Sequence, residues 1–195
     1  MLVIRVANPA DLNEIAEIHA QSIPYSINSM LGLERLKTLY SVFFSSSAHH
    51  LFVADDEGSI VGFISGTANY TSLMRVARGS ISLKQLSVVA KKIGLFKFVR
   101  LILDWLIIDH KFKRLDHFYY FSTWGVRSDS NPTAGSLLFR KLLHEAKQSA
   151  KSSLIVNVSN DNENVLKMYK SIGFNHVDRS LNEEIMQLDL QKQTK

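Results

Sequence analysis

The sequence predicts an α/β (α+β) fold with a mixed, mostly antiparallel central sheet flanked by helices. Three observations predict it. Two apolar runs, residues 50–54 and 60–67, flank the turn segment DDEGS at 55–59, which is the pattern of a β-hairpin. In the C-terminal half, a strand-like run (118–126), a helical stretch reaching residue 150 and a second strand-like run (154–159) follow one another, which calls for a parallel crossover. Residues 185–190 alternate apolar and polar as a last strand.

The elements follow in order. Residues 2–7 alternate and begin with Val and Ile side chains, so they read as a strand. Pro9 and Asp11 open a helix with Leu12, Ile15, Ala16 and Ile18 on one face, ending near residues 22–24. A second helix spans about 33–44, with Leu33, Leu36, Leu39, Tyr40 and Phe43 at helical spacing. After the hairpin, residues 69–116 turn helical. There Phe96, Val99, Leu103, Leu106 and Ile107 form an apolar stripe, and Lys97, Arg100, Asp104 and Lys111 a narrow polar one, as in a helix that buries most of its circumference. SDSNPTAGS at 128–136 carries turn chemistry, and the helix after it presents Leu138, Leu142, Leu143 and Ala146. A polar stop at 160–162 caps a helix bearing Val165, Leu166, Met168 and Tyr169, which ends at Gly173.

At 195 residues the chain predicts a single domain, with residues 69–117 as a basic helical insertion between the third and fourth strands. It holds no cysteine, which excludes disulfides, thiolate metal sites and a cysteine nucleophile and fits a reducing compartment. The seven His show no ligand spacing, so no metal is expected. The first residues, MLVIRVANPADL, do not read as a signal peptide. The apolar stretch at 93–108 is shorter than the roughly 20 residues that span a bilayer, and a cytoplasmic location is expected. The net charge is +5, but residues 69–117 carry ten basic and three acidic side chains, a local +7 that leaves −2 for the rest. These cations are interleaved with core-like apolars and follow no reading motif, so nucleic acid is not an expected partner.

VSNDNENVLKMYKSIGF at 158–174 resembles the signature N-x-x-A-x-x-x-Y-x-x-x-G-F of the GCN5-related N-acetyltransferase (GNAT) family, with Asn162, Val165, Tyr169, Gly173 and Phe174 in register and Val165 where Ala is usual. FSTWGVRSDSNPTAGSLLFRKLL at 121–143 resembles that family's strand, loop and helix for acetyl-CoA; IRVANPADLNEIAEIH and GSIVGFISG are similar to its N-terminal elements. The resemblance covers the chain outside 69–117. It implies the GNAT acyl-CoA transferase fold and transfer of an acetyl group from acetyl-CoA to a primary amine of an unidentified acceptor, such as a small molecule or amino sugar.

The residues say how. A loop running into a helix N-terminus offers free N–H groups and a favourable dipole to a diphosphate. Thr133, Ala134, Gly135 and Ser136 stand there, Ser130 falls at the family's first loop position, and Pro132 contributes no N–H. Gly125, between Trp124 and Val126, marks either a bulge or close backbone packing. The resemblance assigns pantetheine to the main chain of Trp124 and Val126, and the role of general acid at the leaving sulfur to Tyr169. Asn162 either contacts the pantetheine arm or caps its own helix. Tyr120 stands where many relatives carry a Glu base; His19, His117 and Glu34 are further titratable groups, none singled out. The rival readings are a non-catalytic CoA-binding module and a membrane-peripheral module using residues 69–117.

Overall fold

In the computed structural model, which describes residues 1–192, the chain opens with β1 (Leu2–Val6), a 3-10 turn at Pro9–Asp11 and α1 (Leu12–Ser22). Asn8 and Asp11 form a capping box at this turn, the Asp11 carboxylate accepting from the Asn8 N–H at 2.7 Å. Arg5 donates to both Asp11 oxygens, at 2.7 and 2.9 Å, and to Asp55 at 2.9 Å, which ties the first strand to helix and hairpin. The short α2 (Ile27–Met30), not foreseen from sequence, precedes α3 (Leu33–Ser41), whose expected last turn tightens into a 3-10 segment at Val42–Ser45.

The hairpin is β2 (His49–Asp56) and β3 (Ser59–Thr67). Residues 69–117 hold three helices, α4 (Tyr70–Gly79), α5 (Leu83–Ile93) and α6 (Leu95–Lys113). Then come β4 (Phe118–Val126), α7 (Thr133–Gln148), β5 (Ser153–Ser159), α8 (Glu163–Ser171), β6 (Asn175–Arg179) and β7 (Glu183–Asp189). The strands make one sheet in the order β1-β2-β3-β4-β5-β7-β6, antiparallel except between β4 and β5. Strand β6 escaped sequence reading because NHVDR is polar and largely exposed: it is the sheet's edge and buries no apolar row.

Both faces of the sheet are covered, so adjacent residues of β4 are all buried: Tyr119 and Phe121 pack with α7 and α8, and Tyr120 packs on the opposite face with Ile15, Leu36, Tyr70 and Phe112. The opposite face carries α1, α3, α4 and α6.

The orientation of α6 corrects the sequence reading. Phe96, Val99, Leu103 and Leu106, expected to be buried, face outward; Asp104, expected on a solvated stripe, is buried. The helix is apolar around most of its girth, so periodicity alone cannot choose its inner face. Polar contacts choose it. Asp104 accepts from the N–H groups of Leu181 (2.8 Å) and Asn182 (3.3 Å) and from the Asn182 side-chain amide (3.1 Å), Lys111 pairs with Asp178 at 2.6 Å, and Arg100 donates to the Leu181 carbonyl at 3.3 Å. Helix α6 thus grips the β6–β7 turn. Asp104→Ala would remove the buried acceptor that holds three donors of this turn, and is expected to cost about 1–3 kcal/mol in a urea denaturation series.

Candidate functional site

Strands β4 and β5 pair over three positions only, Phe118↔Ser153, Tyr119↔Leu154 and Tyr120↔Ile155, and then diverge. Past Tyr120 the β5-facing edge of β4 is therefore open. The bulge in β4 lies at Ser122, where the register with β3 shifts between Ser65↔Thr123 and Gly66↔Phe121, and not at Gly125 as one sequence reading had it. Gly125 serves close packing instead: a Cβ there would stand 2.8 Å from Phe63 Cε1 and 3.2 Å from Ile18 Cγ2.

The extra residue at Ser122 changes which side chains face which layer. Before it the odd-numbered Phe121 faces α7; after it Trp124 does, stacked on Phe139 with ring centroids 5.9 Å apart. The same shift sets the main chain. Arg127 donates its N–H to the Val61 carbonyl at 2.8 Å, so by strand alternation Gly125 and Thr123 face β3, and the main-chain groups of Trp124 and Val126 face the open side.

The head of α7 lies beside this edge. Asn131 occupies part of it: its side-chain oxygen accepts from the Thr133 N–H (3.0 Å) and hydroxyl (2.8 Å), and its carbonyl accepts from the Ala134 N–H at 2.9 Å. The Ser136 hydroxyl turns back to the Thr133 carbonyl at 2.8 Å. The Gly135 N–H has no acceptor among the described residues. A side chain at Gly135 would meet Trp124, whose Cζ2 lies 3.1 Å from the position of a Cβ, and the buried Trp124 indole N–H likewise lacks a partner. A main-chain donor at the head of α7 and an open strand edge therefore lie on either side of the Trp124 ring. Ser130 stays within the loop, its hydroxyl donating to the Arg127 carbonyl at 2.7 Å.

Tyr169 rises from α8 into the same layer. Its ring meets Phe121 edge-on at 5.8 Å and Phe174 at 5.0 Å. Burial holds the phenol well above its ordinary pKa, so it is protonated at neutral pH, and its hydroxyl makes no hydrogen bond to any described residue. Asn162 caps α8, its side-chain oxygen accepting from the Val165 N–H at 3.3 Å.

On the other side of β4 the structure assembles a cluster that sequence reading missed. Tyr120 donates to Asn157 Oδ1 at 2.8 Å, and the Asn157 amide donates to Glu183. Glu183 keeps some exposure as a residue, yet burial of its carboxyl raises its pKa, the Asn157 hydrogen bond opposes that, and the charge of Asp104 adds to it. Tyr120 itself is pushed far up by burial, with the charges of Glu183 and Tyr169 among the further causes, so it lies within electrostatic reach of both. The available signal was alternation: Glu183 shares a face of β7 with Ile185, which is buried, so a carboxylate there points inward.

Of the other titratable residues, His19 is buried between Tyr40 (Nδ1 to hydroxyl, 2.5 Å) and Ser26 (Nε2 to Oγ, 3.1 Å), and desolvation lowers its pKa to about 4. Glu34 is exposed at the start of α3 and His117 exposed in the turn before β4, so neither joins the cluster. A separate cleft of about 370 Å³ between α4 and α6 is lined by Arg75, Arg78, Asp109 and Lys113. Its Arg78 and Lys113 are tied to Asp109 at 2.6 and 2.8 Å.

No protein-family model and no curated protein matches this sequence. Solved structures do. An N-acetyltransferase from Staphylococcus aureus Mu50 superposes with a TM-score of 0.62 at 17% identity, covering 97% of this chain and 99% of that one. The PaiA N-acetyltransferase of Thermoplasma acidophilum, solved with coenzyme A, gives 0.63 at 13% identity over 97% and 99%. YncA from Salmonella typhimurium, solved with acetyl-CoA, gives 0.60 at 15% identity over 100% and 96%. With its mixed seven-stranded sheet and flanking helices, this chain has the fold of the GNAT acetyltransferases.

Proposed function

We propose that the protein transfers an acetyl group from acetyl-CoA to a primary amine in a ternary complex. One observation supports the reading: β4 loses its β5 partner after Tyr120, so the main chain of Trp124 and Val126 is left open on the strand whose Phe121 packs against the Tyr169 ring. An extended pantetheine arm suits such an edge, because it can hydrogen-bond as an added strand. The Gly135 N–H, at the helix start formed by Thr133, Ala134 and Ser136, would meet the diphosphate. Asn131 must turn away for the Thr133 N–H to join it.

Two groups would divide the proton traffic. Tyr169, protonated and without a hydrogen bond among the described residues, hydrogen-bonds the sulfur as the C–S bond breaks and the thiolate develops. Glu183, a carboxyl with a raised pKa, accepts the proton that the attacking ammonium must lose, directly or through water. It takes the place of the strand carboxylate that Tyr120 lacks. Residues 69–117 act as a helical insertion in one domain, and α6 with the β6–β7 turn walls the acceptor side. The acceptor is taken to be a small molecule such as an amino sugar, and the setting cytoplasmic; among the described residues no helix is long and apolar enough to cross a membrane.

Release of CoA thiol from acetyl-CoA across a panel of amines tests this reading. Amine-dependent release is expected. Thermal stabilisation of the protein by acetyl-CoA with no release under any amine would favour a binding module instead.

A further inference from the structure

We propose that the outer face of α5 and α6 seats the protein on an anionic phospholipid surface, both helices lying in the plane of the interface. Leu95 and Phe96 are 73% and 82% exposed, and Val99, Leu103 and Leu106 continue the same side of α6 at helical spacing. Leu83 (85% exposed) and Val88 add single exposed apolar side chains on α5, which also carries Lys84 and Lys91. Apolar side chains this large, gathered along one helical hairpin, mark a surface that meets a partner.

Charge identifies the partner. From residue 58 to residue 103 the sequence contains no acidic side chain. Lys84 and Lys91 are exposed on α5, Lys97 and Arg100 flank the apolar side of α6 on the stripe that turns toward the β6–β7 turn, and none of the four has an acidic partner among the described residues. A second copy docked through the same face would set lysine against lysine with no carboxylate between them, which disfavours self-association. A bilayer with anionic headgroups offers what both kinds of side chain need: negative charge at the surface and acyl chains just below it. From Leu95 to Leu106 the apolar seam of α6 is about 17 Å long. This surface is separate from the β4–α7 site, and the proposal does not rest on acetyl transfer.

Co-sedimentation of the full chain with phosphatidylcholine vesicles, with and without 30 mol% (about a third) phosphatidylglycerol, tests it. Partitioning is expected to rise at least about tenfold with the anionic lipid and to fall as far in 0.5 M salt, roughly a threefold shorter screening length than at low salt. Because the residues are exposed, Phe96→Ser with Leu103→Ser leaves the circular dichroism and Tm unchanged while lowering partitioning about tenfold or more. Lys84→Ser, Lys91→Ser and Lys97→Ser together remove the preference for anionic lipid. Absence of binding to any vesicle, or binding indifferent to all five substitutions, overturns the proposal. So does sedimentation velocity showing that the chain self-associates through this face and that Phe96→Ser with Leu103→Ser abolishes the association without affecting vesicle binding.

Discussion

Tyr169→Phe is expected to lower kcat about 100-fold, as loss of a positioned general acid does, while the KM for acetyl-CoA changes less than about threefold. The hydroxyl acts only once the acyl donor is bound. In the free protein it has no partner among the described residues, so its removal breaks no hydrogen bond. The ring contacts with Phe121 and Phe174 survive in Phe, so Tm should hold within about 2 °C. The effect then falls on the step in which charge gathers on sulfur. A steady-state comparison of variant and parent, with thermal denaturation alongside, separates chemistry from packing. An unchanged kcat would remove Tyr169 from the reaction.

Glu183→Gln should be the second large loss, about 100-fold in kcat/KM near neutral pH. It carries a signature in pH. A base works only when ionised, so the parent's kcat/KM should fall as pH drops through the raised pKa of Glu183, and that acid limb should be missing from the variant. Stability should move the other way. The folded carboxyl holds its proton more tightly than the unfolded one, whose ordinary value is 4.5, so its contribution favours folding at low pH and is lost as pH rises through the folded value. Replacing Glu183 by a neutral amide should therefore spare or raise stability at pH 8 relative to the parent. Activity lost together with stability would assign Glu183 a structural role instead.

How much of this was legible beforehand depended on whether one strand face or one helix side was enough to decide. The hairpin of β2 and β3, the β4–α7–β5 crossover and the positions of Tyr169 and Gly135 follow from local patterns: alternation, turn chemistry and a helix start. Strand β6 was not legible, because an edge strand with polar side chains has no burial pattern. Nor was the inner face of α6, where a single carboxylate, Asp104, outweighs five apolar residues by capping a turn 77 residues away. The bulge was misplaced by three positions because Gly125 is the residue that looks permissive, whereas Ser122 is the one the register with β3 leaves over. Asn157 and Glu183 sit on strands that become neighbours only when the sheet forms, and no spacing in the chain joins them to Tyr120.

The proposed chemistry depends on where the acyl donor lies. A crystal structure with coenzyme A tests that most directly. It should show pantetheine paired with the main chain of Trp124 and Val126, the diphosphate on the Gly135 N–H with the Asn131 side chain displaced, and the thiol within about 3.5 Å of the Tyr169 hydroxyl. Coenzyme A bound elsewhere, or bound there with its sulfur remote from Tyr169, would contradict it.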